Sequence, residues 1–508
     1  MRRLAGLTVA AAALAVAGLP GCGAKTNEAT RAAGIVPGNA VAFLSASLDP
    51  SIAQKRNLLS IANRFPKARD KIAKDFEQTR DNFIASVLKQ ACLDYQKDVK
   101  PWLGSEVAVA VLPKPDGPGT VPVLLMRVKD EAKARATLSY GSPPGNCSPQ
   151  ANRPRTYKFA DGFAVVVPSG DTTALDAVGP AGGTGKSLAK QVDFTRLVDE
   201  LHGDRLLVGY SDAKGELDAG RGRLTSNGCD LLRAAGVSGK AAFDVHAEPA
   251  AVVVEGVADQ SQSPLKAGAP TLTESLPTST TGAFTVFDIA GLVRSALACT
   301  GTKADVTGQL ADQTGLDLDA DVLSWMGGEA VLVTGPFHRG RNLPDFGLVV
   351  HATEPTAAAA AVSKLTAKLT EDGQKLTQFD VPGSSTKGTT IATPSADGTQ
   401  PAVVLVGDRL VLATTPDFAG QLAQPAQPGL GQAGFYKSAV GRGTGGTQLQ
   451  LVVDVRSIKD GIVSTLPAAD RNQYQKNVAP QLDPVQALGL RLYQQAGLAH
   501  IQLKVALG

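Results

Sequence analysis

At 508 residues the chain is too long for one ordinary hydrophobic core, so two or more domains are expected. Hydrophobic residues at 43% and charged residues at 19% describe a folded globular protein, and 50 Lys and Arg against 47 Asp and Glu give no electrostatic reason to expect nucleic acid as a partner. The 5% aromatic content, beside 54 Gly and 31 Pro, leaves few rings for stacking bases and describes a chain rich in turns.

Arg2 and Arg3 precede LAGLTVAAAALAVAGL, Leu4 to Leu19, an apolar run of secretory-signal length. A membrane-spanning helix needs roughly 20 apolar residues, so this run is short for one. LPGC, Leu19 to Cys22, resembles the bacterial lipobox, although Pro20 is an unusual occupant of its slot. That likeness implies cleavage after residue 21 and a lipid-modified Cys22 as the mature N-terminus. Two or three acyl chains such as palmitate, at about 0.8 kcal/mol per buried CH₂, would hold the protein on the extracytoplasmic face of a cell membrane. Taking two arginines from the 50 basic residues leaves 48 against 47 acids in the mature chain. Residues 22–34 are small and polar and read as a flexible tether.

From Ile35 the pattern becomes structured. NAVAFLSASLD alternates like a strand, and the run from Ser51 to Tyr95 has helical spacing with Pro66 marking a break. Its later stripe of Ile72, Phe76, Phe83 and Val87 is expected in the core. EVAVAVLPKPDGPGTVPVLLMRVKD predicts a hairpin and DEAKARATL a short helix. YKFAD and FAVVVPS predict a second hairpin with its turn at Asp161-Gly162. DRLLVGYSD and the pair KAAFDVHA and AAVVVEGVA close the series. The second half repeats this order, from TGAFTVFDIAGLVRSAL to VQALGLRLYQQAGLAHIQLKVAL. The expected fold is α+β: two tandem copies of a related unit at 35–258 and 276–508, joined by the linker 259–275, with mainly antiparallel sheets covered by helices.

The chain's two tryptophans sit in one frame, D-V-x-x-W-[LM]-G-x-E. Asp98, Trp102, Gly104 and Glu106 supply it once, and Asp321, Trp325, Gly327 and Glu329 supply it again. Asp98 and Asp321 are expected to N-cap a helical turn, the glycines to give a permissive backbone at its end, and the indoles to anchor it over the sheet. The glutamates, at the start of a strand, are expected to pair with a cation or cap an amide. A ligand site is the competing reading of these acids.

I-V-P-G-N-A-V-A-F-L-S-A-S-L-D-P-S, N-R-F-P and D-V-K-P-W-L-G-S-E-V-A-V-A-V-L-P resemble an uncharacterised bacterial domain-of-unknown-function family of secreted and surface-anchored proteins, common in actinobacteria. The resemblance spans about Ile35 to Val178 and recurs more weakly in the second half. It implies an extracytoplasmic location and a duplicated α+β unit, and it brings no activity and no catalytic residues.

Four cysteines remain after Cys22: Cys92, Cys147, Cys229 and Cys299. Outside the cytoplasm they read as two disulfides, and pairing Cys92 with Cys147 and Cys229 with Cys299 closes the shortest loops. AGGTGKS, Ala181 to Ser187, imitates a phosphate-binding loop but has Pro180 where that loop needs glycine. LDLDAD, Leu316 to Asp321, imitates a calcium loop but has Val322 and Gly328 at the decisive positions. His202, His246, His338, His351 and His500 are scattered, with no H-E-x-x-H and no G-x-S-x-G. No catalytic, cofactor-binding or metal-binding residue is therefore assigned. The expected protein is a lipid-anchored, non-enzymatic binding or scaffold module that meets the membrane through its anchor and takes a protein or lipid ligand, with no nucleic-acid partner. A carrier of a lipid or other hydrophobic ligand is the alternative, and a secreted hydrolase the third reading.

Overall fold

The computed structural model describes residues 28–65, 81, 85, 94–114, 118–139, 156–167, 172–179, 185–213, 215, 237–260, 265–338, 343–395, 398–440 and 446–508. Cys22, Cys92, Cys147 and Cys229, the signal segment, most of the tether, the stripe from Ile72 to Val87 and residues 181–184 lie outside these. So does the side chain of Cys299, whose backbone falls within the helix Ile289–Thr300. The chain divides into two compact units, Met1–Ser226 with Ser238–Asp259, and Asn227–Val237 with Gln260–Gly508.

The first unit is built on β1 (Ala42–Ser47), β2 (Leu103–Pro113), β3 (Thr120–Val128), β4 (Thr156–Ala160), β5 (Phe163–Val167), β6 (Leu207–Asp212), β7 (Val237–Glu248) and β8 (Ala251–Gln260). Antiparallel pairing sets the order β7-β6-β1-β2-β3-β5-β4. Alternation dictates which side chains are buried: Ala108, Ala110 and Leu112 of β2 are buried while Val107, Val109 and Val111 are half-buried. Asp161 and Gly162, between β4 and β5, take φ of 47° and 73°, as the mirror-image hairpin turn requires.

Helices lean on this sheet, among them Ile52–Arg64 and Glu131–Ser139. Ile52–Arg64 begins at Ser51, whose Oγ accepts from the Gln54 amide at 3.1 Å, and packs through Leu58 against Leu206, Leu207 and Ala247. It ends at Phe65, held extended (φ −101°, ψ 104°) as the residue before Pro66 must be. Glu131–Ser139 packs through Ala134 and Leu138 with Trp102 and Ala164.

The second unit comprises β9 (Gly282–Phe287), β10 (Glu329–Phe337), β11 (Pro344–His351), β12 (Leu376–Asp380), β13 (Lys387–Ile391), β14 (Ala402–Val406), β15 (Arg409–Ala413), β16 (Thr447–Asp454), β17 (Val485–Gln495) and β18 (Leu498–Leu507). Its order is β18-β17-β16-β9-β10-β11-β15-β14-β13-β12, again antiparallel throughout. From β17 to β14 this is the strand order of the first unit, with β12 and β13 added at the edge.

Alternating strands lead one to expect one packed face and one open face. Around β11 the second unit departs from that. Val349 joins Phe418, Ala419 and Leu422 of the helix Pro416–Ala423, whereas its neighbour Val350 joins Trp325 and Ala358 and Ala361 of the helix Pro355–Glu371. Successive strand residues point to opposite faces, so β11 carries core on both.

Candidate functional site

The repeated frame forms the same corner in each unit. Asp94 caps the turn Tyr95–Val99, its Oδ1 accepting from the Lys97 amide at 3.1 Å, and the Asp94 amide donates in return to Asp98 Oδ2 at 2.8 Å. Asp317 caps Leu318–Leu323 in the same way, accepting from Ala320 N at 2.7 Å and donating to Asp321 Oδ2 at 2.9 Å. The capping residues are therefore Asp94 and Asp317, one turn earlier than Asp98 and Asp321, because a cap must precede the unpaired amides it serves. The D-x-x-x-D spacing that gives this reciprocal lock was present in both copies. Asp94→Ala and Asp317→Ala should each cost about 1 kcal/mol, read as a shifted denaturant midpoint with an unchanged slope; loss of less than a few tenths would assign the cap no weight.

The indole N–H groups fix the other side of the corner. Trp102 Nε1 donates to the Asp98 carbonyl, and Trp325 Nε1 to the Asp321 carbonyl at 2.7 Å. The glycines do not serve as left-handed residues, since neither Gly104 nor Gly327 has a positive φ. At Gly104 a Cβ would lie 2.9 Å from Arg127 Cγ, so close approach excludes a side chain there. At Gly327 the space is ordinary, and the crowded position is Gly328, where a Cβ would lie 2.5 Å from the His351 carbonyl.

Both glutamates are buried, and each ties the segment before its unit's first strand to the sheet. Glu106 stands opposite Ser47 and Glu329 opposite Phe287 in their ladders. Glu106 Oε1 accepts from Ala32 N at 3.1 Å and Ser45 Oγ at 2.7 Å. Glu329 accepts from Leu272 N at 2.8 Å, Thr273 N at 2.9 Å and Thr273 Oγ1 at 2.6 Å. Burial pushes the Glu106 carboxyl up to about 7, against the pull of the Ser45 and Ala32 hydrogen bonds. Burial raises Glu329 as well, opposed by its bonds to Thr273 and Leu272 and by the Arg409 charge. Glu106 Oε2 is buried with no hydrogen-bond partner among the described residues, whereas both oxygens of Glu329 accept. These are amide-capping groups rather than partners of an exposed cation.

The acids of LDLDAD are likewise engaged. Asp319 pairs with Lys303 at 2.7 Å and Arg294 at 3.4 Å, and Asp321 with Lys364 at 2.6 Å. The Lys303 and Lys364 ammonium groups hold their carboxyls below the usual range. Gly185 and Lys186, from the phosphate-loop imitation, line an open depression of about 750 Å³ with Lys114, Asp176 and Gln191.

The histidines are less scattered than their spacing implies. His338 Nε2 lies 2.6 Å from Asp345 Oδ2, His351 Nδ1 lies 3.2 Å from Asp408 Oδ2, and the His500 ring stacks on Tyr493. His202 and His246, 44 positions apart, stack with ring centroids 4.1 Å apart. His246 Nδ1 lies 2.8 Å from Asp244 Oδ1, and Asp244 Oδ2 accepts from the His202 amide at 2.8 Å. Asp244 and His246 are buried, Glu255 on β8 is half-buried, and one ligand atom from each of the three lies within 4.8 Å of the others. The D-x-H spacing in a strand already places Asp244 and His246 on one face; the approach of Glu255 and His202 had no local signal.

The family model described as Protein of unknown function (DUF3352) matches residues 3–156 and 246–507, more than half of the chain. No curated protein and no solved structure matches it.

Proposed function

We propose, for a chain that belongs to the family described as Protein of unknown function (DUF3352), a lipid-anchored extracytoplasmic binding or scaffold module made of two related α+β units under helical cover. The observation that carries this reading is the use made of the repeated frame. Its aspartates close a turn, its indoles bind backbone carbonyls, and its glutamates hold the amides before β1 and β9. Groups so engaged build a corner, and the one glutamate oxygen left over, Glu106 Oε2, is buried away from solvent. The shared strand order and the paired corners support duplication of one unit. A carrier needs an enclosed apolar cavity; the apolar groove lined by Leu365, Leu369, Ile391 and Leu412 holds only about 90 Å³, and the larger depression of about 750 Å³ beside Lys114 and Lys186 is open, so neither favours the carrier.

In this reading attachment rests on Cys22; among the described residues no helix is long and apolar enough to cross a membrane. Cys22→Ala should leave the precursor unprocessed or release the protein from the membrane fraction; unchanged processing and retention would remove the anchor from the proposal. Native purification followed by lipid extraction and mass spectrometry should give no stoichiometric lipid beyond the anchor. A second lipid at one per chain would replace the scaffold with the carrier.

A further inference from the structure

We propose that Asp244, His246 and Glu255 form a divalent transition-metal site in the first unit, with zinc the best match to one imidazole and two carboxylates. Three observations lead there. β7 delivers Asp244 and His246 from alternate positions on one face, and β8 brings Glu255 close enough for a single ion to reach all three. An N/O set of this kind suits zinc, and solvent or an incoming ligand completes four-coordination, which is the form of an open rather than a closed site.

The charges provide the second argument. Asp244 is fully buried, and a second carboxylate within 4.8 Å of its oxygen adds a like charge in a poorly hydrated place. Arg205 is near enough to act on Asp244 and offsets part of that charge. A divalent cation held by all three groups would bring the two carboxylates together at lower cost. Asp244 also orients its neighbours, because its two oxygens engage the His246 ring and the His202 amide, and the stacked His202 ring covers the imidazole. Two ligands at about 2.1 Å from a tetrahedral zinc stand about 3.4 Å apart, so the 2.8 Å contact between His246 and Asp244 opens by roughly half an ångström if both bind directly.

The third argument is the other unit. The turns Pro249-Ala250 and Ala496-Gly497 occupy the same place in the two closing strand pairs. Counting from them, Arg491, Tyr493 and Gln502 stand where Asp244, His246 and Glu255 stand. There the Arg491 guanidinium lies 4.7 Å from the centre of the Tyr493 ring, a pairing that brings its own cation and offers none a ligand set. The same strand pair is thus built without the ligand residues in the second unit, so the shared architecture does not itself require their grouping in the first.

The test uses the full mature chain after chelator treatment, titrated with Zn²⁺ by calorimetry and with Co²⁺ by visible absorption. One ion per chain should bind, with affinity lowered at least tenfold in Glu255→Gln and lost in His246→Ala, while His500→Ala in the second unit binds as the unaltered chain does. No zinc binding, or equal affinity in Glu255→Gln and the unaltered chain, would overturn the site. If His246→Ala does not fold, the isosteric Glu255→Gln decides alone, with the Co²⁺ spectrum as a second readout.

Discussion

Trp102→Ala should cost the first unit about 4 kcal/mol, the middle of the range for deleting a buried aromatic side chain. Trp102 is only 1% exposed and packs with Leu48, Tyr95, Val99, Leu103, Ala134 and Leu138, so its removal leaves a cavity shared by the turn, the sheet and the helix Glu131–Ser139. The lost hydrogen bond adds little, because the Asp98 carbonyl keeps a donor in Thr137 Oγ1 at 2.7 Å. Trp102→Phe should therefore recover most of the loss. Denaturant unfolding of the mature chain, followed by backbone circular dichroism, measures both. A loss below about 1 kcal/mol in Trp102→Ala would show that the corner does not organise this core. Trp325→Ala should behave similarly, since its ring is 5% exposed and packs with Val350, Ala358 and Ala361.

Stability should fall as pH rises through the interval from 4.5 to about 7, and Glu106 should be a principal cause. Its carboxyl moves from 4.5 to about 7 on folding, so the folded chain holds a proton that the unfolded chain has released. The contribution is fully present below pH 4.5 and is lost as pH passes 7. A shift of that size corresponds to about 3 kcal/mol. In Glu106→Gln the amide oxygen can keep the Ala32 and Ser45 bonds while the NH₂ occupies the unpartnered Oε2 position, much as the protonated acid does. The variant and the unaltered chain should therefore match below pH 4.5 and diverge above it, with the variant the more stable near pH 8. Parallel stability curves for the two proteins would sink this assignment. Glu329 should add a slope of the same sign, since burial raises its carboxyl too.

Much of the backbone was legible because local chemistry writes it. The Asp161-Gly162 turn, the break before Pro66 and the alternation of β2 each follow from a few adjacent residues. The repeated frame located both corners, and its misreading was local: Asp98 and Asp321 looked like caps although Asp94 and Asp317, four positions earlier, carried the same signal. The partners of the glutamates were not legible. Glu106 meets Ala32 and Ser45 across 74 and 61 positions; the β1–β2 register brings Ser45 to it, and the folding back of Glu28–Gly34 brings Ala32. The approach of Glu255 and His202 to Asp244 and His246 is hidden in the same way. That β11 carries core on both faces was not legible, because alternation reports which residues share a face, while long-range packing decides what covers it.

Two sheets with one strand order offer a newly made chain a wrong way to close, because β9 can reach for the place of β1 and the reverse. Misassembly between units is a characteristic failure of chains with repeated architecture. The side chains discriminate. Phe43 and Ala283 occupy matching positions at 2% and 1% exposure, and the Phe43 ring meets Phe194 edge-on at 6.0 Å. Exchange would drive a phenyl ring into a slot shaped for a methyl group and leave a void in the other sheet, so mispairing is penalised on both sides at once. The divergence of the two copies acts as a proofreading code that lets one architecture be written twice in a single chain.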